Sequence, residues 1–240
     1  LNGVDVRIRK RPPSIILIVA AVLTFLSARA EAYFERLTVS SRVHAMGGAF
    51  VSVADDPCAV VLNPAGLARI RSASVLSTIS EPYGISDLKE TFFAAGLPTK
   101  IGAFGVSWHR FGLDGVTSED IFTIAYGRDL IRTSQDASLS VGGGFDIARV
   151  SYTGDSGDAS DAVLAGTLSV LLRPFPFIGA GYTVRNLGEP SFGFVAAAPP
   201  EFATIDNTRL KTIHTFGFAY HWEELFSVLY ERERGQDARW

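Results

Sequence analysis

The chain has one cysteine, Cys58, and one methionine, Met46. A single thiol cannot form an internal disulfide, so cysteine usage carries no evidence of redox compartment. Lysine is scarce as well: only Lys10, Lys89, Lys100 and Lys211 occur in 240 residues. A water-soluble β-protein usually places many lysines on its solvent face and sheet edges, so the shortage is a first sign of another environment. A strong excess of either charge is also missing. The net charge of −3 and the sequence pI near 5.8 leave no electrostatic footprint for nucleic acid. No G-x-S-x-G elbow occurs, and Cys58 has no evident histidine partner, so the sequence reads as a non-enzyme. The four histidines make no metal set: His214 and His221 lie on one predicted strand at an odd spacing, which turns them to opposite faces. Asp155, Asp158 and Asp161 match no EF-hand and read as a solvated loop. Gly142-Gly143-Gly144 and Gly179-Ala180-Gly181 fall inside predicted strands with no helix following. They read as small, close-packed wall residues rather than phosphate loops. No metal and no cofactor is expected.

What is present begins with a targeting segment. Arg7, Arg9, Lys10 and Arg11 form a basic stretch, and Ile15 to Leu26 follows without charge. Ala28-Arg29-Ala30 and Ala30-Glu31-Ala32 both fit the small-x-small cleavage rule, so residues 1–32 are predicted to be a signal peptide. The apolar run is too short for a transmembrane helix, which needs about 20 residues. The chain starts at Leu1 rather than Met, which suggests an unusual start codon or a fragment.

Residues 33–72 are rich in Gly, Ala, Asp and Pro and show no strand alternation. From Ala73 the pattern turns to β, with apolar and small or polar residues alternating between turn signals. Leu139, Val141, Phe145 and Ile147 share one face, and Ser138, Ser140, Gly142, Gly144 and Asp146 the other. Phe104, Val106 and Trp108 oppose Ala103, Gly105, Ser107 and His109. Phe216, Phe218, Tyr220 and Trp222 oppose Thr215, Gly217, Ala219 and His221. Several stretches run to about ten residues, the length of a tilted transmembrane strand rather than the usual five or six. The apolar faces carry no charge within these runs. Trp108, Tyr126, Tyr152 and Trp222 fall toward strand ends, as girdles at a membrane interface do. The expected connections are 81–89, 98–99, 111–120, 129–136, 151–161, 173–176, 187–211 and 223–224, alternately long and short as outer-membrane barrels require. The count is about nine strands. An odd number leaves a barrel open in lipid, so residues 73–240 are expected to be a barrel incomplete at its C-terminus, with Trp240 a cut end.

Before the first strand lies Met46-Gly47-Gly48-Ala49, then Ala54-Asp55-Asp56-Pro57, then Asn63-Pro64-Ala65-Gly66-Leu67. Gly47 and Gly48 remove side-chain bulk where the backbone turns or packs closely. Asp56 is expected to cap a helix with Pro57 at its first position, Asn63-Pro64 to repeat that start, and Gly66 to allow an early stop. This combination and order resembles the FadL-type outer-membrane transporters, and more closely the PorV/PorQ branch. A weaker likeness continues at Asn186-Leu187-Gly188. The resemblance implies an antiparallel transmembrane β-barrel of about fourteen strands in the cell outer membrane. It also implies an N-terminal hatch over residues 33–72, in which Met46, Gly47, Gly48, Asp55, Asp56, Asn63, Pro64, Ala65 and Gly66 have a structural or gating role. Expected partners are outer-membrane lipid and either a hydrophobic ligand or a secreted cargo protein. Three functions stay open at this point. They are passage of hydrophobic small molecules, a PorV-like part of a protein secretion system (type IX), and a purely structural barrel.

Overall fold

The computed structural model describes residues 39–133, 137–154, 157–193, 209–222 and 226–235. The expected signal peptide and its cleavage sites, Asp155, the pair Glu223-Glu224 and the end of the chain from Gln236 lie outside them. The fold is all-β: among the described residues nine antiparallel strands form one sheet in simple sequence order. They are β1 Ser74–Ser80, β2 Leu88–Thr99, β3 Gly102–Leu113, β4 Thr117–Arg132, β5 Ser138–Gly154, β6 Gly157–Phe175, β7 Ile178–Leu187, β8 Ile213–Trp222 and β9 Phe226–Arg234. Among the described residues no helix is long and apolar enough to cross a membrane.

Period-two alternation sets which way each side chain points. Facing rows run straight across neighbouring strands: Trp108 opposes Phe122, which opposes Ile147, which opposes Leu164. These residues share the outward face with Phe104, Ile124, Phe145, Leu168, Tyr182, Phe216 and Val228, and most of them stand exposed, Phe145 at 67%. The inward rows are mostly small or polar and buried, as at Ala103, Ala125, Thr123, Ser140, Thr167, Ser169, Thr183 and Thr215, with Phe92, Leu171 and Ile213 as larger apolar residues among them. The two faces are therefore the reverse of a water-soluble sheet, with the greasy residues outside.

Several strands are longer than their alternation suggests. The expected loops 111–120 and 151–161 are mostly strand, reduced to the turn Asp114–Val116 and the short step from Gly154 to Gly157. Arg110, Asp120 and Arg149, cross-strand neighbours on the outward face, sit one row beyond Trp108, Phe122 and Ile147. Charged residues there break the apolar pattern, although the backbone pairing continues. The same holds for 129–136, where β4 persists to Arg132 past a bulge at Leu130. Asn186-Leu187-Gly188 ends β7: Asn186 and Gly188 adopt positive φ of 57° and 91°, and the Asn186 side-chain amide donates to Lys211 O at 3.0 Å.

Candidate functional site: the N-terminal segment against the inward face

Residues 39–70 supply most of the main apolar core. Val39, Phe50, Ala54, Cys58, Val60 and Leu67 are buried together with Phe92, Ala94, Ala103 and Ala125 of the wall. Locally the segment is a chain of short turns. Helix Ser41–Ala45 starts at Ser40, whose hydroxyl accepts from Val43 N at 3.2 Å. Gly47 and Gly48 then turn the chain at φ of 64° and 86°, and a Cβ on either would meet nothing within 4 Å. Their glycine requirement is conformational, so of the two expected roles the turn holds and the close packing, with no room for a Cβ, does not. The helix near Asp56-Pro57 begins later than expected, over Ala59–Leu62. Asp56 instead closes the preceding turn, accepting from Cys58 N at 2.8 Å. Arg42 bridges Asp55 at 2.6 Å and Asp56 at 2.5 Å and lies over the Phe50 ring.

Asn63 acts as expected and does more. Its side-chain oxygen accepts from Ala65 N at 3.2 Å, capping a 3₁₀ turn Pro64–Arg69 with Pro64 at the start. Its Nδ2 donates to Val51 O at 2.6 Å, tying two stretches of the segment together. Gly66 does not stop this turn, which runs on to Arg69. Gly66 is required instead because a Cβ would collide with Ala54.

The wall is cut to fit this segment. Cβ atoms on Gly105 of β3, Gly127 of β4 and Gly142 of β5 would overlap Val60, the Pro64 carbonyl and the Pro64–Ala65 peptide. On β7 and β8, Cβ atoms at Gly181 and Gly217 would overlap the backbone of Val51 and Ser52. Polar anchors stand between them. Ser169 on β6 accepts from Ala65 N at 2.8 Å, and Thr183 on β7 donates to Leu62 O at 3.1 Å. At the two sheet edges, Thr78 of β1 donates to Val39 O, and Glu231 of β9 accepts from Phe50 N and Val51 N at 2.9 and 2.8 Å. All nine strands thus touch one short segment, and the four residues Pro64–Leu67 meet β3, β4, β5 and β6. Strands lie about 4.8 Å apart, so only a sheet curled around the turn brings four of them to it.

Beyond the segment, toward the longer connections, the inward face carries buried polar groups. His109 Nε2 lies 2.9 Å from Glu90 Oε1, and Asp146 accepts from Thr123 at 2.6 Å and Thr167 at 3.1 Å. Alternation in the sequence places His109 and Asp146 on this face but does not pair them. The pairings depend on cross-strand register, which alternation within one strand does not contain. Cys58 is buried, and burial pushes its thiol up to about 12. Among the described residues no group of His, Cys, Asp and Glu is arranged to hold a metal. Comparison with protein-family models, curated proteins and solved structures finds no match to this chain.

Proposed function

We propose that the chain is an outer-membrane β-barrel protein of the FadL/PorV type. Its wall is lipid-facing, its N-terminal segment is a plug, and it admits hydrophobic small molecules across the outer membrane. The observation that carries this reading is the reversed sheet, with large apolar side chains exposed on its outer face and the inner face packed against residues 39–70. Burying one such side chain is worth about 1.5–3 kcal/mol, so a face of this size left in water would forgo on the order of tens of kcal/mol. Lipid removes that cost.

Dimensions agree with this. On β5 the apolar row runs from Leu139 to Ile147, about 27 Å along the strand and about 20 Å high at the usual barrel tilt, near the roughly 25 Å apolar band of outer-membrane barrels. Trp108 marks the boundary: its ring lies on the apolar row, and its Nε1 donates to Asp120 in the charged row at 2.9 Å. The small and polar inward face favours a second reading, a PorV-like component of a secretion system that receives exported cargo. A passage for greasy solutes would be lined with larger apolar groups.

Uptake separates the two readings. Cells carrying the full chain should fractionate it with the outer membrane and accumulate a hydrophobic fluorescent probe faster than cells lacking it. Unchanged uptake with correct outer-membrane fractionation would turn the reading to cargo handling.

A further inference from the structure

One charged cluster gathers where the end of the segment meets the wall. Arg132 of β4, Ser138 of β5 and Arg173 of β6 lie directly opposite one another in the sheet. They share the inward face at the short-turn end, where two strand spacings put the outer Cα atoms about 10 Å apart. Arg69, the last residue of the 3₁₀ turn, brings a third guanidinium to the same place, and Arg132 donates to the neighbouring Ala68 O at 3.4 Å.

The acids nearby neutralise one of these cations, Arg132, and leave the other two unpaired. Asp129 bridges Arg132 at 2.7 Å, and Asp55 is engaged by Arg42. Arg173 donates to Pro176 O at 2.7 Å, and neither it nor Arg69 has a carboxylate at ion-pair distance among the described residues. The Arg69 Nε is buried with no hydrogen-bond partner. Burial, and after it the charge of Arg173, depresses the Arg69 guanidinium below its ordinary value; Arg132 adds to this, while Asp55 and Asp129 oppose it. Like charges gathered around a buried, unmatched donor cost free energy unless an anion joins them.

We propose that Arg69, Arg132 and Arg173, with the Ser138 hydroxyl, bind a soluble oxyanion of the phosphate class at the short-turn mouth of the inward face. Guanidinium forks match the oxygens of a tetrahedral oxyanion in pairs, and Ser138 supplies a donor between two of them. The inference rests on the wall and the segment alone, not on the solvent around the outer face.

The test uses the full chain in detergent micelles, with inorganic phosphate titrated by calorimetry at constant ionic strength. Saturable one-site binding is expected, at least tenfold tighter than that of acetate. Arg69→Gln and Arg173→Gln should each weaken it about tenfold or more. Arg173→Lys, which keeps the charge and loses the fork, should fall between. Arg149→Gln, on the outward face of β5, should bind as the parent does. No saturable binding by the parent, equal affinity for acetate, or unchanged affinity in both glutamine variants overturns the proposal.

Discussion

Gly142→Ala isolates the fit between segment and wall in a single methyl group. Gly142 faces the Pro64–Ala65 peptide from β5. An added Cβ would lie 2.7 Å from Pro64 O and nearer still to the Pro64 carbonyl carbon and Ala65 N. Ordinary van der Waals separation is about 3.5 Å, so the peptide must retreat by about 1 Å. It is held by the Asn63 cap at 3.2 Å and the Ser169 hydroxyl at 2.8 Å, and the second bond does not survive such a move. Overpacking at about 1–3 kcal/mol and one lost hydrogen bond at about 1 kcal/mol give a destabilisation of about 2–4 kcal/mol. Gly143→Ala is the matched control one residue away. It points outward, where its Cβ would meet Thr167 O at 3.3 Å and Leu168 Cδ2 at 3.4 Å. Relief of glycine's backbone entropy there offsets the mild crowding, by about 0.5–1 kcal/mol. Urea unfolding of both variants in lipid vesicles, with limited proteolysis of residues 39–70, measures the difference. Equal stabilities would refute the claim that the segment lies against β5.

Arginine introduced at Phe145 or Phe218, both exposed on the outward face, should cost about 2–4 kcal/mol near a bilayer midplane, read by unfolding in vesicles; a cost below 0.5 kcal/mol at both, the value of an ordinary surface site, would count against lipid contact. Asn63→Ala removes the acceptor for Ala65 N and the donor to Val51 O. It should destabilise the fold by about 1–3 kcal/mol and speed cleavage within residues 39–70; unchanged cleavage would mean the two bonds are not needed. Cys58 should resist maleimide at pH 8 in the folded protein and react once unfolded, because burial holds its thiol near 12; rapid labelling in the native state would show that the segment opens.

Much of the wall was legible in the sequence because alternation is local: Phe216, Phe218 and Tyr220 against Thr215, Gly217 and Ala219 need only the two-residue period of one strand. Strand lengths were less legible. Beyond Trp108 and Ile147 charged residues occupy the outward face, and loss of the apolar signal was taken as loss of the strand. In the segment, the Asn63 cap was legible from the Asn-Pro pair, which acts within three residues. The roles of Gly47, Gly48 and Gly66 were not. A glycine serves equally for positive φ or for close approach, and only the folded chain shows that Gly47 and Gly48 need the first and Gly66 the second. Glu231 gave no sequence signal, since its partners Phe50 and Val51 are backbone groups 180 or more positions away.

The most direct measurement is a spin-label scan of β5 from Leu139 to Ile147 in a Cys58→Ala background, with the full chain reconstituted in vesicles. Labels at Val141, Phe145 and Ile147 should collide with oxygen far more than with a water-soluble nickel complex. Labels at Ser140, which is fully buried, and at Gly142 should be shielded from both, giving a two-residue alternation. Nickel accessibility exceeding oxygen accessibility at Phe145 and Ile147 would place the apolar face in water and contradict a lipid-facing wall.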